Sequence, residues 1–441
     1  KGTEDNRVRK LDYSIQISKL FYERFIRSES ISLFSPHDVP GLYDSFGTGD
    51  FDDLYRKYES EETIPRETVP AQELILDLLK ERAETGRIYI MNIDHCNDHS
   101  SFVDKVSMSN LCQEITLPTT PLQHIDDPDG EIALCILSAI NVGRINSDKE
   151  LEDLCELSVR GLEELIDYQR YPVIAAEKST KARRSLGIGF IGLAHYLAKL
   201  GYNYDSQEAW DAVHGLTESF QYFLLKTSNE IAKEKGKCSA FDRTKYSQGK
   251  LPIDHFKTDV NEITQQPLVH DWQSLRQSIL EHGLRHSTLS AQMPSESSSV
   301  VSNATNGIEP PRDYLSIKKS KKGPLKQIVP SYGTLKNNYT LLWEMESNRG
   351  YINVVSVMQK FFDQAISGNW SYNPENYPDN EVPVSVMAQD LLTTYKYGWK
   401  TSYYQNTHDM KSDEIEDPVV VSNLISEIEN LEEESCESCT I

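Results

Sequence analysis

Apolar residues in this chain recur mostly at helical spacing, in long stretches separated by short apolar runs. The helical spacing predicts amphipathic helices, and the run IYIMNI at 88–93 predicts a buried strand just after a helix that ends at Gly86. The predicted helices are residues 70–85, 148–168, 186–200, 207–235, 272–282, 337–343, 354–366 and 384–396. The other predicted strands are residues 131–140, 287–292 and 401–407. This alternation favours an α/β fold.

Composition narrows the class of protein. The 441 residues are 38% hydrophobic and 26% charged, which suffices for a large core. Asp and Glu number 68 against 45 Lys and Arg, and the net charge of −23 argues against a general binder of nucleic acid. No long apolar stretch predicts a membrane span, and the first residues show no secretory signal. Seven irregularly spaced cysteines favour a reducing, cytoplasmic setting.

The character of the chain changes near residue 407. Residues 412–441 are rich in Asp and Glu and contain no Lys, Arg or aromatic residue. Such a segment buries too little apolar surface to offset the entropy of ordering it. We therefore expect a flexible acidic tail at 407–441 behind a folded part at 1–406. The tail carries Cys436 and Cys439, and this spacing fits either a redox shuttle or an accidental pair, since no further zinc ligands lie nearby.

The first candidate for chemistry is the segment Asn110-Leu111-Cys112-Gln113-Glu114. If the segment is extended, residues two apart share a face, so an amide, a thiol and a carboxylate lie side by side. The thiol could then act as nucleophile, metal ligand or hydrogen-atom donor, with the carboxylate as base. On spacing alone, an ordinary cysteine in a half-buried strand explains the same residues more simply.

Three more features have both a structural and a functional interpretation. Cys135 lies in the apolar run GEIALCILSAINVG, which predicts a strand covered on both faces and a cysteine in the core. Tyr403 and Tyr404 would ordinarily point to opposite faces of a strand, although adjacent phenols also suit the transfer of an electron and a proton. Residues 94–99, DHCNDH, resemble metal ligands, but turn and capping hydrogen bonds satisfy the same residues, and we favour that interpretation.

A cluster of hydroxyls follows the strand predicted at 287–292. If a helix begins there, its free N–H groups and the hydroxyls would bind a phosphate. A serine-rich turn with an ordinary helix cap is the simpler local explanation. The residues concerned are Pro294, Ser295, Glu296, Ser297 and Ser298.

Taken together and in this order, five motifs resemble the large subunit of class Ia ribonucleotide reductases. They are SNLCQEITLPT, GEIALC, RRSLGIGFIG, MPSESSSVVSNATNGIEPPR and KTSYYQNT, followed by the terminal dithiol. The resemblance extends over essentially the whole chain but covers only about the second half of such a subunit. It implies the second half of a ten-stranded α/β barrel with a finger loop, and residues 110–114 match that loop.

The resemblance also implies a mechanism for reducing ribonucleoside diphosphates. A thiyl radical on Cys112 would abstract the ribose 3′-hydrogen, Glu114 would take the 3′-hydroxyl proton, and Asn110 would bind the ribose hydroxyls. Cys135 and a second cysteine would then supply the reducing electrons. The dithiol Cys436/Cys439 would reset their disulfide and be reset in turn by thioredoxin or glutaredoxin.

Further expectations concern substrate and radical delivery. Residues 110–114 and 294–298 match the substrate-binding segments, the latter for the diphosphate. Tyr404 and then Tyr403 match the relay that brings the radical from a small di-iron tyrosyl-radical subunit. The resemblance implies no cofactor or metal bound by this chain, and no nucleic-acid or membrane partner.

The family's N-terminal half has no counterpart in this sequence. That half carries the effector sites for ATP and deoxynucleotides, the first half-barrel and the cysteine that pairs with Cys135. The sequence is therefore either a fragment of a longer subunit or one part of a subunit divided between two chains. We favour the divided subunit, which needs a companion chain, and we expect no turnover by this chain alone. Two alternatives stay open: a non-catalytic assembly module that binds the small subunit, and a cobalamin-dependent or glycyl-radical reductase, against which the tyrosine pair argues.

Overall fold

The computed structural model describes residues 11–320 and 323–408, without the side chains of 317–320 and 323–325. The predicted acidic tail, with Cys436 and Cys439, therefore lies outside the described residues, apart from its first two positions. Within the described part, no helix is both long and apolar enough to cross a membrane.

Helices account for most of the regular structure. They are α1 (Lys19–Ile26), α2 (Leu42–Ser45), α3 (Phe51–Ser60), α4 (Ala71–Thr85), α5 (Ile93–Asp98), α6 (Asp148–Tyr168), α7 (Ile174–Arg183), α8 (Leu193–Leu200), α9 (Gln207–Lys235), α10 (Trp272–His282), α11 (Glu296–Val301), α12 (Tyr332–Leu335), α13 (Arg349–Gln359) and α14 (Val384–Lys396).

The strands are short and form small sheets. They are β1 (Tyr13–Ile17), β2 (Ser30–Phe34), β3 (Arg66–Pro70), β4 (Ile88–Asn92), β5 (Ile136–Asn141), β6 (Leu186–Ile191), β7 (Leu315–Ser320), β8 (Gly323–Ile328), β9 (Trp370–Tyr372), β10 (Thr401–Ser402) and β11 (Gln405–Thr407).

Parallel pairing links the strands that surround the site. β1 pairs with β4, and β5 pairs with β6, each in parallel, and β11 runs parallel to β9. Single parallel bridges continue the series, from Ile188 in β6 to Ser290 and from Gln292 to Ile366. Parallel strands joined by helical crossovers are typical of an α/β fold, so the predicted class is confirmed. The arrangement is consistent with part of a barrel.

The main core lies between the long helices and this sheet. Ser147 and Ser206 cap α6 and α9 by accepting hydrogen bonds from Glu150 N and Ala209 N, both at 3.2 Å. Helix α13 is buried along nearly its whole length, including its polar residues Asn353, Ser356 and Gln359. The rings of Phe190 and Phe220 pack at 4.6 Å between centroids and join the helices to β6.

Several helices have the predicted bounds, since α6, α9, α10 and α14 match residue for residue and α4 begins one residue later. The helix predicted over 186–200 is wrong in its first half, which forms β6. Gly187 and Gly189 let backbone and side chains of neighbouring segments approach closely, and Gly192 turns the chain with φ of +80° before α8 begins. The apolar run is short enough to fit either element, so periodicity alone misassigned it.

The remaining errors concern ends of elements and loops. The region 337–343 is not an α-helix but holds parts of two short 3₁₀ turns, and α13 ends at Gln359, before the predicted boundary at 366. Residues 287–292 make only single bridges, and β5 begins five residues later than predicted. The strand predicted at 401–407 is two short strands, because Tyr403 and Tyr404 lie between β10 and β11.

Candidate active site

The segment Asn110–Glu114 forms a tight turn, so the predicted extended conformation is wrong. Gln113 N donates to the carbonyl of Asn110 at 3.2 Å, and Gln113 has a positive φ of 71°. The Asn110 side-chain oxygen accepts from Ile115 N at 3.1 Å and closes the turn. A polar amide at position 110 therefore shapes the backbone itself, as Asn commonly does in turns.

The turn presents the thiol of Cys112 to a buried tyrosine. The Tyr403 hydroxyl donates to Cys112 Sγ at 3.6 Å, and Tyr403 is only 5% exposed. Partial burial raises the pKa of the Cys112 thiol, while the hydrogen bond from Tyr403 lowers it. The net direction is upward, so Cys112 is a neutral thiol near pH 7, suited to giving and taking a hydrogen atom rather than to acting as a thiolate.

Glu114 lies two residues further on and is buried, with 2% exposure. The Ser367 hydroxyl donates to Glu114 Oε2 at 3.2 Å and also lies 2.5 Å from the carbonyl oxygen of Cys112. Burial raises the pKa of the Glu114 carboxyl, and the side chains of Asn110 and Ser367 partly oppose that shift. A buried carboxyl with a raised pKa is a suitable proton acceptor for a group held next to it.

Cys135 immediately precedes β5 and is half-buried, so the predicted strand with both faces covered is only partly correct. Its sulfur lies against Gly187 of β6, where an added Cβ would come within 2.8 Å of Sγ. The Gln364 side-chain amide donates to the same sulfur at 3.6 Å. Burial is the main cause that raises the pKa of Cys135, and the negative charge of Glu114 adds to it.

Behind Cys112 lies a cluster of three tyrosine rings. The ring centroids of Tyr403 and Tyr404 are 4.1 Å apart, and those of Tyr89 and Tyr403 are 4.7 Å apart. Tyr89 also meets Tyr404 edge to face at 5.4 Å. The buried Arg82 fixes the two adjacent tyrosines by donating to their carbonyl oxygens at 2.8 and 3.1 Å. The arrangement gives a continuous aromatic path that ends at the Cys112 thiol.

The serine-rich segment begins α11, a helix of six residues with Ser295 at its N-terminal boundary. Ser295 is buried, whereas Pro294, Glu296, Ser297 and Ser298 are exposed. The Ser298 hydroxyl donates back to the carbonyl of Ser295 at 3.3 Å. A short helix therefore begins at this segment, which was the condition for the phosphate site, but Ser295 makes no side-chain capping bond.

Hydrogen bonds through Asn369 also link Tyr404 to Glu309, which lies in the segment after α11. Asn369 Oδ1 accepts from Tyr404 N at 2.9 Å, and the Asn369 amide donates to the Glu309 carboxylate. Sequence reasoning missed Asn369 and Glu309, and also Arg82, Gln364 and Ser367. Ordinary residue types in loops give no periodic signal, and only Glu309 fell within a quoted motif, NGIEPPR.

Residues 94–99 lie in and directly after α5, and two of their side chains contact distant backbone instead of making the turn and capping bonds that we favoured. A His95 ring nitrogen lies 3.0 Å from the carbonyl oxygen of Trp399, and the Cys96 sulfur lies 3.6 Å from that of Lys400. Burial raises the pKa of Cys96 to about 12. Among residues 11–320 and 323–408, no group of three His, Cys, Asp or Glu side chains is arranged to bind a metal ion.

The site of this α/β protein thus holds the half-buried thiol of Cys112 next to the Tyr403 hydroxyl, with Glu114 two residues further along the same turn. The family model that matches residues 1–405 is described as the ribonucleotide reductase barrel domain. The chain therefore belongs to the ribonucleotide reductase family, and the half-barrel predicted from the motifs is confirmed as the fold.

Similar proteins carry the corresponding name. The chain is 56% identical over 422 residues to ribonucleoside-diphosphate reductase subunit alpha of Haemophilus influenzae, covering 95% of this chain and 56% of that protein. It is 52% identical over 443 residues to ribonucleoside-diphosphate reductase 1 subunit alpha of Escherichia coli, covering 99% and 57%. The Enterobacteria phage T4 subunit alpha is 41% identical over 420 residues, covering 93% and 55%. The chain thus spans little more than half the length of these relatives.

Proposed function

We propose that this chain carries the thiyl-radical site of a ribonucleoside-diphosphate reductase and acts as part of its large subunit. The observation that carries the proposal is the Tyr403 hydroxyl 3.6 Å from Cys112 Sγ, with the Tyr404 ring centroid 4.1 Å from that of Tyr403. A tyrosine oxidised at this position can take the hydrogen atom of the thiol directly. The substrates are ribonucleoside diphosphates, and the products are deoxyribonucleoside diphosphates and water.

The first step transfers a hydrogen atom. The thiyl radical of Cys112 takes the hydrogen from C3′ of the ribose, which restores the thiol and leaves a carbon radical. Glu114 accepts the 3′-hydroxyl proton, in keeping with its burial and with its hydrogen bond from Ser367. Asn110 and the adjoining Leu111 and Gln113 form the turn that meets the ribose, and Asn110 binds its hydroxyls.

Reduction then consumes two thiols. The 2′-hydroxyl leaves as water, Cys135 and a second cysteine supply two electrons and two protons, and the two sulfurs join as a disulfide. Cys112 returns its hydrogen atom to C3′ and becomes a thiyl radical again. Within the described residues, Cys96, Cys155 and Cys238 are each no more than 1% exposed, so none of them is a suitable partner for Cys135. The second cysteine belongs to the companion part of the subunit.

Radical delivery and re-reduction require partners. Tyr404 and Tyr403 pass the radical from a small subunit that holds a di-iron centre and a tyrosyl radical, so this chain binds no cofactor of its own. Cys436 and Cys439 attack the disulfide at Cys135 by thiol exchange, and thioredoxin or glutaredoxin resets the tail. Residues 294–298 bind the diphosphate, with α11 offering its first backbone N–H groups and nearby hydroxyls.

The half-barrel needs further strands. β1 pairs with β4 on one side, and its residues Tyr13 and Ile15 are exposed; Leu137 of β5 is exposed as well. Strand edges with exposed apolar side chains favour pairing with more chain. We propose that a companion part completes the barrel, supplies the second cysteine and binds the ATP and deoxynucleotide effectors.

The test is Cys112→Ser in the complex reconstituted with the small subunit and the companion part. A serine hydroxyl holds its hydrogen too strongly for the exchange, so turnover of cytidine diphosphate should be lost while co-purification of the three components is unchanged. Turnover that persists would reject Cys112 as the radical site. If the three components still co-purify and no variant of Cys112, Glu114 or Cys135 changes turnover, the chain is an assembly module instead.

The tail has a separate test. With both Cys436 and Cys439 changed to Ser, a single early burst of product should form, because the thiols at the site are still reduced at the start. Cycling with thioredoxin should then stop, whereas dithiothreitol, which is small enough to enter, should sustain it. Undiminished cycling with thioredoxin would remove the shuttle role from the tail.

A further inference from the structure

One loop residue contacts both thiol-bearing segments of the site without having been part of any motif. Gln364 follows α13 in the sequence FFDQAIS and is fully buried. Its side-chain amide donates to the carbonyl of Leu186 at 2.8 Å and to Cys135 Sγ at 3.6 Å, and its oxygen accepts from Thr116 N at 3.3 Å. One side chain thus joins β6, the start of β5 and the end of the Cys112 turn.

The backbone of Gln364 is held firmly on several sides. Its N–H donates to the carbonyl of Ser290 at 3.1 Å. Its carbonyl oxygen accepts from the buried ammonium of Lys400 and from the side-chain amide of Gln359, both at 2.9 Å. With the backbone fixed, the amide has little freedom to follow the sulfur, so the sulfur must adopt the position that the amide sets.

The sulfur also lies close to the backbone of β6. Gly187 has no side chain, and an added Cβ there would come within 2.8 Å of Cys135 Sγ. The sulfur of Cys135 therefore accepts from the amide of Gln364 and lies against Gly187. A larger residue at position 187 would displace the same sulfur atom that Gln364 contacts.

The groups around Cys135 shift the pKa of its thiol in opposite directions. Burial disfavours the thiolate, and the carboxylates of Glu114 and Asp363 act in the same direction. Cys96, with its own raised pKa, belongs to the same apolar cluster. The amide of Gln364 opposes all of these, because an N–H donor stabilises an anionic sulfur.

We propose that Gln364 is a positioning residue for Cys135, which holds its sulfur against Gly187 and stabilises the thiolate form. In the reductase cycle, which rests on the proposed function, Cys135 must leave as a thiolate when the tail dithiol attacks its disulfide. A better-stabilised leaving thiolate departs faster. Gln364 therefore favours the re-reduction step and leaves the hydrogen-atom transfer at Cys112 to other residues.

The test measures alkylation of Cys135 by iodoacetamide in the full chain, between pH 7 and 10, by mass spectrometry of the peptide that carries it. The thiolate displaces iodide, so the rate follows the thiolate fraction. Gln364→Leu should raise the apparent pKa of Cys135 and slow its alkylation below that pKa by about tenfold. Gln364→Glu, which removes the donor and adds a negative charge, should slow the reaction at least as much.

The matched control is Gln405→Leu. Gln405 is also a buried glutamine whose amide donates to a sulfur, that of Met387 at 3.3 Å, and it does not contact Cys135. In Gln405→Leu, iodoacetamide should alkylate Cys135 at the same rate as in the parent. Cys96, Cys155 and Cys238 serve as an internal test of folding, because these buried thiols react only if the chain opens.

An unchanged or faster reaction at Cys135 in both Gln364 variants, with the three buried thiols still protected, would overturn the proposal. If Gln364→Leu exposes the buried thiols, Gln364→Glu decides, since its oxygen still accepts from Thr116 N. The assay needs no turnover, so a negative result rejects the role of Gln364 even if Cys112→Ser confirms the reductase. A positive result stands even if the reductase assignment fails.

Discussion

The helical core and the loops of the site are held together by different forces. In the core, α6 and α13 pack their apolar faces against α9. The ring of Phe220 on α9 contacts both Phe190 and Phe362. In the site, irregular segments near residues 107–117 and 361–369 are joined by hydrogen bonds such as those of Ser367 with Cys112 and of Gln364 with Thr116. Apolar packing tolerates modest changes in side-chain shape, whereas a hydrogen bond requires a particular donor and acceptor at a particular distance.

This difference separates stability from function within one chain. Burial in the core supplies stabilising free energy that is spread over many contacts, so the position of the sheet does not depend on any single atom. The site adds little net stability per bond but determines where the thiols, the carboxyl and the tyrosines meet. Substitutions in the two regions should therefore fail in different ways.

The largest expected effect is on activity alone. Tyr403→Phe keeps the ring and its contacts with the neighbouring tyrosines but removes the hydroxyl that contacts Cys112. Turnover of the reconstituted complex should therefore be abolished with no loss of thermal stability. Tyr55→Phe is the control, since it removes an equally buried hydroxyl that donates to the carbonyl of Ser32 at 2.8 Å, far from the site. Retained turnover in Tyr403→Phe would show that the aromatic path is not the route to Cys112.

The next effect should appear in stability. Phe220→Ala removes a fully buried ring and leaves a cavity, which should lower the free energy of unfolding by about 3–5 kcal/mol in urea denaturation. Leu157→Ala on α6 is the comparison, because Leu157 is 67% exposed and its loss should cost less than about 0.5 kcal/mol. Similar losses in the two variants would contradict the account of the core.

The smallest effect concerns Lys400, where the two regions meet. Its buried ammonium donates to the carbonyls of Asp363 and Gln364, both at 2.9 Å, and burial lowers its pKa from 10.5 to about 7. Between these values the unfolded chain binds more protons than the folded chain, so this residue makes stability increase with pH.

Replacement by methionine should remove that dependence. Between pH 7 and 8, the free energy of unfolding of the parent should rise relative to Lys400→Met by up to about 1.4 kcal/mol. Chemical denaturation at several pH values measures the difference. Parallel pH profiles for the two proteins would mean that Lys400 titrates alike in the folded and unfolded states.

Many helices of the fold could be predicted from the sequence, because the residues that define a helix lie within a few positions of one another. The apolar spacing of α9, with Ser206 before it and Gly236 after it, defines both the helix and its ends. The run at 186–191 was misassigned because six apolar residues fit a strand or a helix, and pairing with β5 decided between them. The boundaries after α13 were missed because the chain there follows contacts with Ser290 and Glu114, which lie far away in sequence.

The sequence by itself determined which residues are candidates for chemistry, through motifs that place Cys112, Glu114, Cys135 and the tyrosine pair in a recognisable order. It also determined the bounds of α6, α9, α10 and α14, because their periodicity repeats within a few residues. Only the tertiary structure decided that 110–114 is a turn, that Tyr89 joins the tyrosines, and that Gln364 and Ser367 connect the reacting groups. Such contacts join residues far apart in the sequence, 255 positions for Ser367 and Cys112 and 314 for Tyr89 and Tyr403. No local pattern encodes them, since each depends on how the whole core brings its loops together.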